Sequence, residues 1–155
     1  VGSEMCIRDS GPLEIIRARQ LIECELAAVA ARSSDPTLVG DLRETLRDME
    51  SDIAARTLPI RGDRAFHIRI AQASDNSALQ AVVTQLFDER NGPLFTTLGG
   101  HFEREVTWKE AVDEHRAVIE AIAAHDPDMA RAAMSGHLDH SHQRFSAAWP
   151  SPSDA

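Results

Sequence analysis

Residues 63–67 read Asp63-Arg64-Ala65-Phe66-His67, and the way this pentapeptide folds decides how the rest of the chain is read. If it is helical, the carboxylate and the imidazole four residues apart point the same way. Both are ligands that suit Zn²⁺, Ni²⁺, Mn²⁺ or Fe²⁺. Taken alone the pair says little, because Asp and His fall four apart in many helices as a solvated or helix-stabilising contact. Its weight comes from two more histidines, His115 and His137, each inside a strongly periodic helical stretch. Four ligands from three helices predict a metal centre inside a helical bundle.

Outward from this stretch the helical period recurs almost throughout. Pro12 suits a helix start, and Leu13, Ile16, Leu21, Ile22, Leu26, Ala27 and Val29 repeat at three- and four-residue spacing to about Ala31. Ser33-Ser34-Asp35-Pro36 breaks that helix and caps a second one, which runs through Leu38, Leu42, Leu46, Met49 and Ile53 to about Arg56. Leu58 to Gly62 reads as a linker, and the third helix spans roughly Asp63 to Ala73. A fourth is expected from about Ser77 to Arg90, broken or kinked at Asn91-Gly92-Pro93, with Leu94 to Leu98 continuing its apolar surface. Gly99-Gly100 opens a loop. The fifth helix runs from about Val106 or Trp108 to Ala124 and the sixth from about Pro127 to Ala147. No alternation long enough for a strand appears. Short connections make neighbours antiparallel, so the fold class is all-α: an antiparallel bundle of about six helices with a central metal or ligand cavity. Residues 1–10 lack apolar periodicity and read as a non-native or disordered leader; residues 11–148 form the domain, and 149–155 a disordered tail.

His115 precedes Val118, Ile119 and Ile122, and His137 follows Met129, Ala130, Ala133 and Met134, so both lie on or beside buried stripes. One buried histidine is ordinarily a satisfied core residue, whose two ring nitrogens need partners. Three histidines and Asp63 on inward faces make a shared site the sharper expectation. His101, His125, His140 and His142 read as solvated, with His140 the runner-up ligand because it shares a face with His137. Arg19 and Glu23, four apart on the first helix, are either a surface pair or an arrangement in which Arg19 faces inward and grips a carboxylate through two hydrogen bonds; periodicity leaves both open.

Composition sets outer bounds. The chain has 155 residues, long enough for a core that needs no disulfide. Cys24 reads as a small core residue. A net charge of −9, with Lys109 the sole lysine, opposes direct nucleic-acid binding. No apolar run of membrane-spanning length and no signal peptide are visible, so a cytoplasmic protein is expected.

The stretches ARQLIECELAAVAA (18–31), DRAFHIRIAQASDNSAL (63–79) and DEHRAVIEAIAAHDPDMARAAMSGHL (113–138), in that order, resemble the FCD ligand-binding domain, the C-terminal half of FadR-type regulators of the GntR family. The likeness covers about Pro12 to Phe145. Its first helix and the Asn91-Gly92-Pro93 segment look most similar to hexuronate-responsive repressors. The resemblance implies a helical bundle that binds a small organic acid, with a hexuronate or related sugar acid as the narrower expectation, through a divalent metal held by Asp63, His67, His115 and His137. Zn²⁺ is the first expectation, with Ni²⁺, Mn²⁺ or Fe²⁺ as alternatives. Arg19 is implied as a partner for the acid's carboxylate. Asn76 is implied either at the cavity or as a helix cap. A homodimer is also implied, with DNA contacted only through an N-terminal winged helix-turn-helix that the family carries and this chain lacks. The rival from another class is a metal-dependent hydrolase on a helical bundle, in which an open metal position activates water. Glu114 is the one candidate base, and the helical period turns it away from His115.

Overall fold

The structure is a computed structural model and describes residues 11–89 and 105–147. They form six helices: α1 (Pro12–Ala31), α2 (Leu38–Ala54), α3 (Ile60–Gln72), α4 (Ser77–Asp88), α5 (Glu105–Ala123) and α6 (Pro127–Ala147). Among the described residues there is no strand. None of these helices is long and apolar enough to cross a membrane. The expectations for residues 1–10, Asn91 to Gly100, His101 and the tail 149–155 fall outside the described residues.

The architecture follows from which stripes are apolar. α1 is buried on most of its circumference, through Ile15, Ile16, Leu26, Ala27 and Ala30 among others. It is the helix the others gather around, packing most extensively on α6 and also on α3, α4 and α5. Polar pairs fix α1 and α6 as antiparallel: Arg17 reaches Asp139, Gln20 reaches Ser135, and Glu25 meets Arg131. His125 closes this end of the pair by bonding the carbonyl of Ala31 at 2.9 Å, so it does structural work beyond a solvated side chain. A small second core of Ile15, Ile16, Leu86 and Phe145 sits at the other end. Cys24 is buried in the main core, and burial pushes its thiol up to about 11, which leaves it unreactive.

The third helix begins a turn earlier than the sequence suggests, at Ile60 rather than Asp63. Pro59 takes the capping position, and Arg61 and Gly62, read as linker, are helical. Gly62 is there for clearance against α2. A Cβ at this position would lie 2.6 Å from Met49 Cγ and 2.9 Å from the backbone carbonyl of Thr45. Alanine would add about 1 kcal/mol of helix propensity, but a backbone carbonyl cannot swing aside, and overpacking of this kind costs about 1–3 kcal/mol or more. Gly62→Ala is therefore expected to lose about 1–2 kcal/mol net, read as a lower urea midpoint with an unchanged m-value. An unchanged midpoint would show that α3 is not pinned against α2 here.

Candidate metal centre

Because Gly62 lets α3 approach α2 closely, the next residue, Asp63, is carried into the interior near the N-terminal end of its helix. A carboxylate is favoured there by the helix dipole. One turn later His67 follows on the same face, as the four-residue spacing requires. α5 contributes His115 and α6 contributes His137. All four side chains are buried, and each offers one ligand atom within 4.8 Å of those of the other three. The sequence expectation that these four residues meet is thus realised geometrically, and the cluster could hold a metal ion.

The orientation of the rings adds chemistry to proximity. Nε2 of His115 lies 3.0 Å from Asp63 Oδ1, and Nε2 of His67 lies 3.4 Å from the same oxygen. The opposite nitrogens face outward to other groups. His115 Nδ1 bonds the carbonyl of Ala111 at 2.5 Å, and His137 Nδ1 bonds Glu114 Oε2 at 2.8 Å. His67 Nδ1 touches Glu23 Oε2 in an ion-pair contact, but neither of its ring nitrogens has a well-aligned hydrogen bond. A fully buried imidazole nitrogen with only a long approach to a carboxylate is costly. A cation drawn to Nε2 of His67 would remove that deficit. Three imidazole nitrogens and one carboxylate oxygen suit Zn²⁺ and its first-row neighbours, so the residues fit such an ion. Phe66 seals the site, meeting His115 edge-on at 4.4 Å and His67 at 5.2 Å between ring centroids.

Electrostatics separates the histidines. Burial lowers the pKa of His137, and the neighbouring His115 lowers it further, to about 3, against the opposing pull of Glu114. Burial also disfavours a charged His67, but the Glu23 carboxylate outweighs it and the pKa is raised. Burial would raise Glu23 as well, yet the Arg19 charge and His67 bring it down to about 2. The two rings are thus set apart: the carboxylate beside His67 favours its charged form, whereas burial and His115 disfavour that of His137.

Arg19 faces the interior, and the carboxylate it grips is Glu23, through Nε at 2.7 Å and Nη2 at 3.5 Å. Its Nη1 takes no part in that pair. The guanidinium also lies over the ring of Phe87, 4.8 Å from the centroid. Asn76 is exposed and accepts from the backbone N–H groups of Ala78 and Leu79, both at 3.1 Å, so it caps α4. His140 is not brought into the cluster. It is 55% exposed and bonds Glu114 Oε1 at 2.9 Å. Sequence reasoning missed Glu23 and Glu114 as partners of the ligands. Glu114 could have been found from α6, where His137, His140 and Arg144 fall on one face opposite a carboxylate of the preceding helix.

The FCD domain family model matches residues 14–140 of this chain. The Uxu operon transcriptional regulator of Escherichia coli is 32% identical over 140 residues, which is 88% of this chain and 54% of that protein. The Exu regulon transcriptional regulator of Escherichia coli is 32% identical over 130 residues, 83% of this chain and 49% of its own length. The chain thus spans about half the length of these curated relatives. Two solved structures have the same fold at 19% identity. Streptococcus agalactiae GntR has a TM-score of 0.71 over 90% of this chain and 62% of its own, and E. coli McbR/YncC a TM-score of 0.76 over 86% and 63%.

Proposed function

This chain belongs to the FCD domain family, and from that premise we propose that it is the effector-binding part of a transcriptional regulator that senses a small organic acid through a divalent metal. Asp63, His67, His115 and His137 hold the ion, with Zn²⁺ preferred over Ni²⁺, Mn²⁺ or Fe²⁺. When bound, the metal supplies a fixed positive centre to which a carboxylate or hydroxyl of the effector can coordinate. The observation that carries the reading is the convergence of four buried ligand atoms whose three imidazoles all turn Nδ1 outward and Nε2 toward Asp63 or the shared space. At His115 and His137 these outward hydrogen bonds favour the tautomer that leaves Nε2 free to coordinate.

The acid is a hexuronate or related sugar acid, a choice supported by the likeness to the Uxu and Exu regulators. Arg19 offers Nη1 to the effector's carboxylate while its other two nitrogens stay on Glu23. Asn76 contributes through the cap of α4, the helix that sets Phe87 against Arg19. The regulator is a cytoplasmic homodimer. It contacts DNA through the part that the longer relatives possess beyond this region, and effector binding alters the spacing of those heads. The hydrolase reading is less favoured: among the described residues, the two carboxylates beside the ligands, Glu23 and Glu114, are each engaged by an arginine and a histidine.

The test is to replace His115 and His137 with Ala and measure bound metal and sugar-acid affinity by calorimetry. Both should be lost together. Retention of metal and effector affinity would place the site elsewhere.

A further inference from the structure

Glu114 has no role in the ligand set, yet it is the most heavily used carboxylate next to it. Its Oε2 meets His137 Nδ1 at 2.8 Å and Arg144 Nη2 at 3.1 Å. Its Oε1 meets His140 Nδ1 and Arg144 Nη1, both at 2.9 Å. The two parallel bonds from Arg144 fix the plane of the carboxylate, and the carboxylate in turn fixes the ring of His137. From this geometry we infer that Glu114, clamped by Arg144, is the positioning residue of the metal centre: it commits His137 to the tautomer and ring orientation that can coordinate the ion. The inference rests on the metal reading above and deepens it.

A neutral imidazole carries one N–H, and a carboxylate at Nδ1 keeps the proton there, so that the lone pair is at Nε2. The other two histidines have different anchors. His115 is held by a backbone carbonyl of its own helix, which no side-chain change removes. His67 leans on Glu23, a group already shared with Arg19. His137 alone is held across a helix–helix boundary by a side chain whose full hydrogen-bonding capacity is satisfied from one neighbouring helix. Residue 114 therefore ties α6 to α5 beside the place where His115 and His137 approach each other, at 4.3 Å between ring centroids. His140, half in solvent, adds one bond to Glu114 without turning its ring into the cluster.

The test compares wild type with Glu114→Gln, Glu114→Met, Arg144→Met and His140→Ala. Zn²⁺ affinity is read by competition with a chromophoric chelator, and coordination geometry by the visible spectrum of the Co²⁺-loaded protein. Loss of an outer partner of a ligating histidine typically costs 10–100-fold in metal affinity. Glu114→Met should fall in that range with an altered Co²⁺ spectrum. Glu114→Gln, nearly the same size and still able to accept from Nδ1, should lose less. Arg144→Met should fall between wild type and Glu114→Met, and His140→Ala should stay within about twofold of wild type, below the 10–100-fold range. If Glu114 were only a tie between helices, the variants would melt earlier with unchanged Zn²⁺ affinity and Co²⁺ spectrum, and that result overturns the inference. Should Glu114→Met not fold, the same readouts on Glu114→Gln and Arg144→Met decide. If wild type binds no Zn²⁺ or Co²⁺, the metal reading itself fails and the inference falls with it.

Discussion

Removing divalent metal with a chelator is expected to lower the melting temperature of this domain by on the order of 10 °C, and restoring Zn²⁺ should recover it. An ion present at a thousand times its dissociation constant stabilises the folded state by about 4 kcal/mol. A domain of this size gains about 2.1 cal/mol/K of unfolding entropy per residue, so that energy moves the midpoint by roughly 10–15 °C. The effect should depend on pH with a definite sign. His67 has its pKa raised above the ordinary histidine value of 6.5, chiefly because Glu23 outweighs burial. Its proton stabilises the metal-free fold at low pH, and that contribution fades as pH rises through the raised value. Metal must displace this proton, so the apparent affinity should fall about tenfold per pH unit below the His67 pKa. His137, held at about 3, stays neutral throughout that window and adds no proton to the exchange. Calorimetric titration of Zn²⁺ across pH 5 to 8, near the ordinary histidine pKa of about 6.5, checks it. A melting temperature indifferent to both chelator and Zn²⁺ would leave the three histidines as packing residues.

How much of this centre the sequence discloses depends on what kind of fact each residue represents. Asp63, His67, His115 and His137 are legible because the helical period alone says which way they point. The spacing of apolar neighbours then says that the direction is inward. The bundle is legible for the same reason, and α1 and α6 begin and end where their caps and breaks predict. The start of α3 was hidden because Pro59 and Gly62 look like linker residues in isolation. Only the packing of α2 against α3 shows that the glycine is a contact point inside a helix. The outer partners were hidden more deeply. Glu114 is rotated about 100° from His115 on an ideal helix, which turns it away from that ring and aims it at α6. Whether it meets His137 depends on the register of two helices, and no single-helix period contains that register. Arg19 illustrates the same limit: the period could not choose between a surface pair and an inward grip. In the structure the pair is intramolecular, as the first reading held, and fully buried, as the second held.

That burial makes Arg19 the most consequential position outside the ligand set. Arg19→Met should cost about 3–5 kcal/mol of stability at neutral pH, because it strips an interior carboxylate of its principal counter-charge. Loss of the guanidinium from the face of Phe87 adds to this. The pH dependence identifies the cause. Glu23 is held at about 2 in the folded protein against a reference of 4.5, since Arg19 and His67 outweigh burial. Its contribution is fully present above 4.5 and is lost as pH falls toward 2. Without Arg19 the depression shrinks or reverses, so the stability gap between wild type and variant should narrow as the solution is acidified through that window. Glu23→Gln in the Arg19→Met background removes the stranded charge and should recover part of the loss, a coupling that a double-mutant cycle in urea reads directly. If Arg19→Met alone lost under 1 kcal/mol, well short of the cost of breaking a buried pair, the Glu23 charge would have to be compensated by His67 alone. A metal ion that displaced a proton from His67 would then strand that carboxylate. The expected large loss would therefore bear on the proposed metal site: Arg19 would be the charge that keeps Glu23 ionised beside His67 if a metal ion took the place of a proton there.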